Sequence, residues 1–185
     1  IAGHLSDAGF ATTLVTGNDV LSLDTGITAG YAKEVREDWE PVANIAQAAL
    51  SEVDELLGKP KPWLLHVHFI DPHGTYCAPD EFVDAEDLAP AGFDPTAMCD
   101  DPFADPYGAD LDLDTRGDAW VEKLEETYRE MYAGEVRYWD REFGKFLDEL
   151  ESRGALDDTL VVFATDHGQQ FFEHGHHGHG RHLGA

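Results

Sequence analysis

Two short segments carry residue types from which a hydrolytic site could be assembled: Asp71-Pro72-His73-Gly74 and Thr165-Asp166-His167-Gly168. A carboxylate and an imidazole side by side, as in Asp166 and His167, can both face one divalent cation. Oxygen donors suit calcium or magnesium, and the imidazole keeps manganese and zinc open. The same pair reads equally well as a polar turn, with Asp166 capping the next segment and His167 in solvent. His73 precedes a glycine, and its ring could hydrogen-bond an oxygen of an anionic ester and answer charge growing there. The plain alternative is a loop histidine bonded to backbone. The stretch from 173 to 182 adds His174, His176, His177, His179 and His182. Its glycines predict a loop, and such a tract can take up transition metal without being built for it. On spacing alone most of these five are incidental. His66 and His68 share one strand face by period-two alternation. Hydrogen-bonded burial is expected for His66, and a supporting place near the rim for His68. Asp110, Asp112 and Asp114 read as a solvated acidic segment, because the nearby glycine is misplaced for a calcium loop.

The surroundings of these residues limit the chemistry. The chain has 185 residues, 12 of them basic and 38 acidic, for a formal net charge of −26. The length fits one domain or a large piece of one, here residues 1–185. Such a charge disfavours nucleic acid, whose phosphates need a basic footprint. It disfavours anionic membrane surfaces for the same reason. No apolar run approaches the roughly 20 residues of a membrane helix, so no membrane insertion is expected. Life in high salt is one hypothesis for this acidity, since salt screens the self-repulsion. The chain starts at Ile1 within a helical pattern and ends after a histidine-rich turn, which reads as a fragment. Cys77 and Cys99 lack zinc-site spacing, and two free thiols are the default expectation, with one disulfide as the alternative. Phosphate loops of the GxxxxGK type, a GxGxxG after a strand and a GxSxG elbow do not occur in the sequence, so nucleotide use is unsupported.

The elements that must hold these turns follow from periodicity. Residues 1–9 predict the end of a helix stopped by Gly9, and residues 11–15 a buried strand. Apolar positions from Trp39 through Leu57 recur at steps of three and four and predict a helix over 38–57, with Pro41 in its first turn. Residues 63–70 are nearly all apolar or aromatic, as in a parallel strand covered on both faces. Residues 77–117 predict an irregular acidic insertion. Residues 118–153 predict a long helix bent near Gly134, and residues 159–164 a second buried strand. Strand, helix, strand, insertion, helix, strand implies a parallel sheet with helices on both faces. Ligands of such sheets bind beyond the carboxyl ends of the strands. Both His-bearing turns fall there.

In combination these segments resemble the sulfatase branch of the alkaline phosphatase superfamily. Residues 5–15 (LSDAGFATTLV) resemble its helix-to-strand passage. Residues 63–76, around Asp71-Pro72-His73-Gly74, resemble its strand ending in P-H-x-P-Y. Residues 132–140 (YAGEVRYWD) resemble its Y-x-x-E-I-x-Y-x-D helix. Residues 159–168 (TLVVFATDHG) with Glu173-His174-Gly175 resemble T-L-V-V-x-T-S-D-H-G followed by E-H-G. The resemblance implies an incomplete alkaline phosphatase-like α/β/α sandwich around a parallel sheet.

It also implies roles. Asp166 and His167 would be ligands of one divalent cation, calcium ahead of manganese or zinc. His73 and His179 would contact the sulfuryl oxygens of a small-molecule or glycan sulfate ester, and one of them would protonate the leaving group. His179 stands thirteen residues after Asp166, where many relatives carry Lys. Asn18 falls near a substrate-contacting loop. The family's nucleophile motif, C/S-x-P-x-R, has no counterpart; Cys77-Ala78-Pro79 echoes it but continues with Asp80-Glu81 and follows the Pro-His turn. The chain would thus carry about half an active site and be inactive alone. The rival readings are a phosphodiester or phosphonate monoester hydrolase of the same superfamily, and a non-catalytic module whose histidine tail binds metal.

Overall fold

A computed structural model describes residues 1–84, 89–95, 99, 115–172 and 177–179. They fall into two compact units, Ile1–Asp71 with Trp139–Val161, and Pro72–Tyr138 with Val162–Ala185.

The first unit contains helix α1 (Ala2–Asp7), strand β1 (Ala11–Thr16), strand β2 (Lys33–Arg36), helix α2 (Val42–Leu57) and strand β3 (Trp63–His68). The sheet is parallel throughout, in the order β2-β1-β3. It has flanking helices, the α/β architecture that the resemblance implies. Every residue of β1 after Ala11 is buried, as expected of a central strand covered on both faces. Val15 packs with Ile45, Ala49 and Val53 from α2 and with Phe146 and Leu150 from the last long helix. The helical period therefore delivers its apolar stripe to the sheet. Phe69, just past β3, meets Trp139, Phe143 and Phe146 edge-on, the arrangement ring quadrupoles favour.

Helix α2 starts four residues later than the periodicity predicts. Pro41 is its N-cap, extended at ψ 159° and without a capping side chain. Trp39, expected on the helix face, has φ 60° and is exposed. The missing cap comes from far along the chain: Val42 N donates to Asp71 Oδ2 at 2.7 Å. Strand β2 has no apolar alternation that predicts it. It is four residues long, mixed in charge, and Lys33 there pairs with Glu52 at 2.6 Å and Glu55 at 3.0 Å. His66 is exposed rather than buried, though its Nδ1 does meet the Tyr31 hydroxyl at 2.6 Å.

Residues 159–164 form no strand. Leu160 is 86% exposed and Val162 77% exposed. A buried strand needs a ladder partner on each side, and among the described residues none pairs with this run.

Helix α3 (Asp118–Ser152) is continuous through Gly134. Its residues 118–138 belong to the second unit and 139–152 to the first. In the second unit it supplies Leu124, Tyr128 and Met131 to a core shared with Tyr76 and Phe171. Val83, Phe93 and Trp120 pack against that core. Two-residue strands β4 (Gln170–Phe171) and β5 (His177–Gly178) pair antiparallel. The glycines of residues 173–182 predict a loop, and β5 falls within that stretch. Cys77 and Cys99 are joined in a disulfide, their Cα atoms 5.5 Å apart, which overturns the expectation of two free thiols. Burial next to Cys77 reinforces the turn: Glu135, 5% exposed, accepts a hydrogen bond from Cys77 N at 2.6 Å. The acidic segment at Asp110, Asp112 and Asp114 lies outside the described residues. Among those described, no helix is long and apolar enough to cross a membrane.

Candidate functional site

The second unit brings together side chains from segments far apart in sequence. The His167 and His179 rings stack with centroids 4.0 Å apart at 29°. The His73 ring stands edge-on to His179 at 5.4 Å. Asp166 adjoins them: its Oδ1 accepts the His167 backbone N–H at 2.9 Å, and its Oδ2 lies 3.5 Å from His167 Nε2. Asp166 and His167 are largely open to solvent, with side chains 73% and 47% exposed.

The hydrogen bonds decide which ring nitrogen carries the proton. A carbonyl oxygen only accepts, so a ring nitrogen bonded to it must donate. His73 Nδ1 lies 2.8 Å from Gly74 O and His167 Nδ1 lies 2.9 Å from Gly168 O. His179 Nδ1 lies 3.0 Å from Gln169 Oε1, an amide oxygen with the same limitation. All three rings therefore hold a proton on Nδ1 and, when neutral, present a lone pair at Nε2. Burial is the main reason the His179 pKa is lowered. The neighbouring His167 and His73 add to this, and Asp166 opposes it.

The donor types of Asp166 and His167 fit a divalent cation. One contributes carboxylate oxygens, the other an Nε2 lone pair whose tautomer is set by Gly168 O. They make a partial ligand set. Among the described residues no group of three or more His, Cys, Asp or Glu side chains is arranged to hold a metal ion.

Asn18 lies in the first unit. Its Oδ1 accepts from Val20 N at 2.9 Å, and its N–H donates to Thr16 Oγ1 at 3.0 Å. This is the local turn chemistry that Asn favours. His177, one of the five tail histidines, is packed among rings: Tyr128 at 4.4 Å, Phe172 at 5.1 Å and Phe171 at 5.7 Å. That is a core position, unlike the solvent-displayed chelator of the metal-tail reading. His174, His176 and His182 lie outside the described residues, as does the Glu173-His174-Gly175 motif.

Gln169, which no sequence motif marks, also donates through Nε2 to the Tyr76 hydroxyl at 2.6 Å. Nothing in a Gln-Gln pair distinguishes it from a solvated loop.

Comparison with known proteins agrees with the residue pattern. A family model described as Sulfatase matches residues 2–184. A choline-sulfatase of Rhizobium meliloti (strain 1021) is 29% identical over 200 aligned residues, covering 90% of this chain and 38% of that protein. Iduronate 2-sulfatase of Homo sapiens is 24% identical over 156, covering 77% of this chain and 28% of that protein. The chain thus spans about a third of the length of the curated relatives it matches.

Proposed function

The chain belongs to the sulfatase family, and from that premise we propose that it forms part of the catalytic domain of a sulfuric ester hydrolase. The family generally uses a divalent metal. In this reading Asp166 and His167 supply two of the ligands and calcium is the cation. Bound there, the cation would offset charge on the ester and on the attacking group. His73 and His179 face the sulfuryl oxygens and donate through Nε2 when the rings are cationic. Either ring can pass that proton to the leaving alkoxide. Positive charge gathered at one place also answers the net charge of −26, which otherwise repels an anionic substrate. The substrate is a small-molecule or glycan sulfate ester, and the nucleophile comes from outside residues 1–185.

The observation that carries this reading is the contact of His73, His179 and His167, drawn from three segments, beside the Asp166 carboxylate. It is tested on the whole protein with an aryl sulfate. Asp166→Asn and His73→Ala are each expected to lower kcat/KM by about 100-fold or more, the cost of one lost charge-stabilising group. Wild-type turnover in either variant would refute it.

A further inference from the structure

We propose that Gln169 is the positioning residue of the site: it fixes the tautomer and the ring orientation of His179. The inference rests on the proposed contact of His179 with the sulfuryl group. His179 differs from the other two histidines in how its Nδ1 is held. His73 and His167 each bond the carbonyl of the residue that follows them. Such a bond is local and survives any rearrangement of neighbouring side chains. His179 depends on a side chain ten residues away, at 3.0 Å.

A carboxamide can present either its oxygen or its nitrogen, so it locks a tautomer only if its own orientation is fixed. The second bond anchors the carboxamide with its oxygen toward the ring; because a hydroxyl both donates and accepts, the tautomer of His179 is the reading that decides this orientation. Gln169 Nε2 donates to the Tyr76 hydroxyl at 2.6 Å, and Tyr76 is 2% exposed. Its ring is boxed by Tyr132 at 5.5 Å and by Phe171 and Tyr128 at 6.5 Å. The order of donation runs from His179 Nδ1–H to Gln169 Oε1, and from Gln169 Nε2–H to the Tyr76 oxygen. With Nδ1–H held by Gln169, His179 carries a proton on Nε2 only as the cation, the form in which it donates to the sulfuryl group. Second-sphere hydrogen bonds of this kind hold an imidazole to within the small tolerance that a reacting geometry demands.

The test uses the whole protein labelled with 15N-histidine, with His179 identified by subtraction against His179→Gln. Its spectrum should show the proton on Nδ1 and a lone pair on Nε2 in the wild type. In Gln169→Met the two tautomers should mix. The same variant should lose about 10- to 100-fold in kcat/KM on an aryl sulfate, the usual cost of a lost second-sphere bond, with most of the change in kcat. Gln169→Glu keeps an acceptor for Nδ1–H and should recover most of that loss. Tyr76→Phe should fall between the two. A purely structural role would lower the melting temperature and leave the tautomer and the split between kcat and KM unchanged. Two results overturn the inference: a wild-type His179 protonated on Nε2, or a Gln169→Met protein that keeps the single tautomer. A His179→Gln protein with wild-type turnover would instead remove His179 from the proposed function, and the spectrum would still decide the role of Gln169.

Discussion

Breaking the Cys77–Cys99 bond is a sharp probe of the second unit. The disulfide closes a loop with a sequence separation of 22. The chain-entropy relation for a loop of that size gives about 11 cal/mol/K of lost unfolded-state freedom, or about 3 kcal/mol at room temperature. For 150 to 250 residues each kcal/mol moves Tm by roughly 2–4 °C, so reduction should lower Tm by about 6–12 °C. The assay is a melt of the intact protein with and without reductant, alongside Cys77→Ala/Cys99→Ala. The double variant should melt with the reduced wild type and ignore reductant. The effect should also reach the site, because Cys77 follows Tyr76, whose hydroxyl takes the Gln169 bond. The Cys77 N–H is held in turn by Glu135. Non-reducing peptide mapping that recovers Cys77 and Cys99 as separate free thiols would refute the reasoning. So would a reductant shift as large in the double variant as in the wild type.

Four further outcomes follow from local geometry. Asp71→Ala removes the acceptor of Val42 N and should cost about 0.5–2 kcal/mol by thermal unfolding, with Asp71→Asn closer to wild type. Within α3, Gly144→Ala meets open space and should gain about 0.5–1 kcal/mol. Gly134→Ala should destabilise, because its Cβ would overlap Val83 Cγ2 and sit 3.0 Å from Phe82 O. Lys33 is raised in pKa chiefly by its bond to Glu52, and Glu55 is lowered chiefly by its bond to Lys33. The Lys33 contribution is therefore present below its unfolded pKa and lost as pH rises through the higher folded value. The Glu55 contribution is present above its unfolded pKa and lost as pH falls through the lower folded value. Lys33→Met should thus destabilise between about pH 5 and 10 and converge on wild type at both extremes, as read from pH-dependent unfolding.

The contrast between α2 and residues 159–164 shows what a sequence can convey here. The stripe in α2 is periodic, and periodicity reports which side chains leave water. Ile45, Ala49 and Val53 do so. Residues 159–164 have an equally strong apolar pattern, but a strand is completed by another segment, and the pattern does not name it. Leu160 and Val162 consequently stay exposed. The start of α2 escapes periodicity for a related reason. Its cap, Asp71, is 29 residues away, so no local capping signal marks Val42. Cysteine spacing fails likewise, since a separation of 22 says nothing about a Cα distance of 5.5 Å. Strands β2, β4 and β5 are too short for an alternation to register.

The site divides along the same line. Asp166, His167 and His73 stand out in the sequence as candidates because each carries its own chemistry and sits next to a turn. More was locally encoded than the motifs alone suggest. In both His73-Gly74 and His167-Gly168 the ring bonds the carbonyl of the following glycine, so the dipeptide sets the tautomer wherever that turn forms. His179 is also followed by glycine in the sequence, yet its Nδ1 goes to Gln169. A reader extending the local rule from the first two histidines to the third would assign the right tautomer for the wrong reason. That asymmetry separates an Nδ1 satisfied within its own dipeptide, as at His73 and His167, from one satisfied by a side chain ten residues away, as at His179.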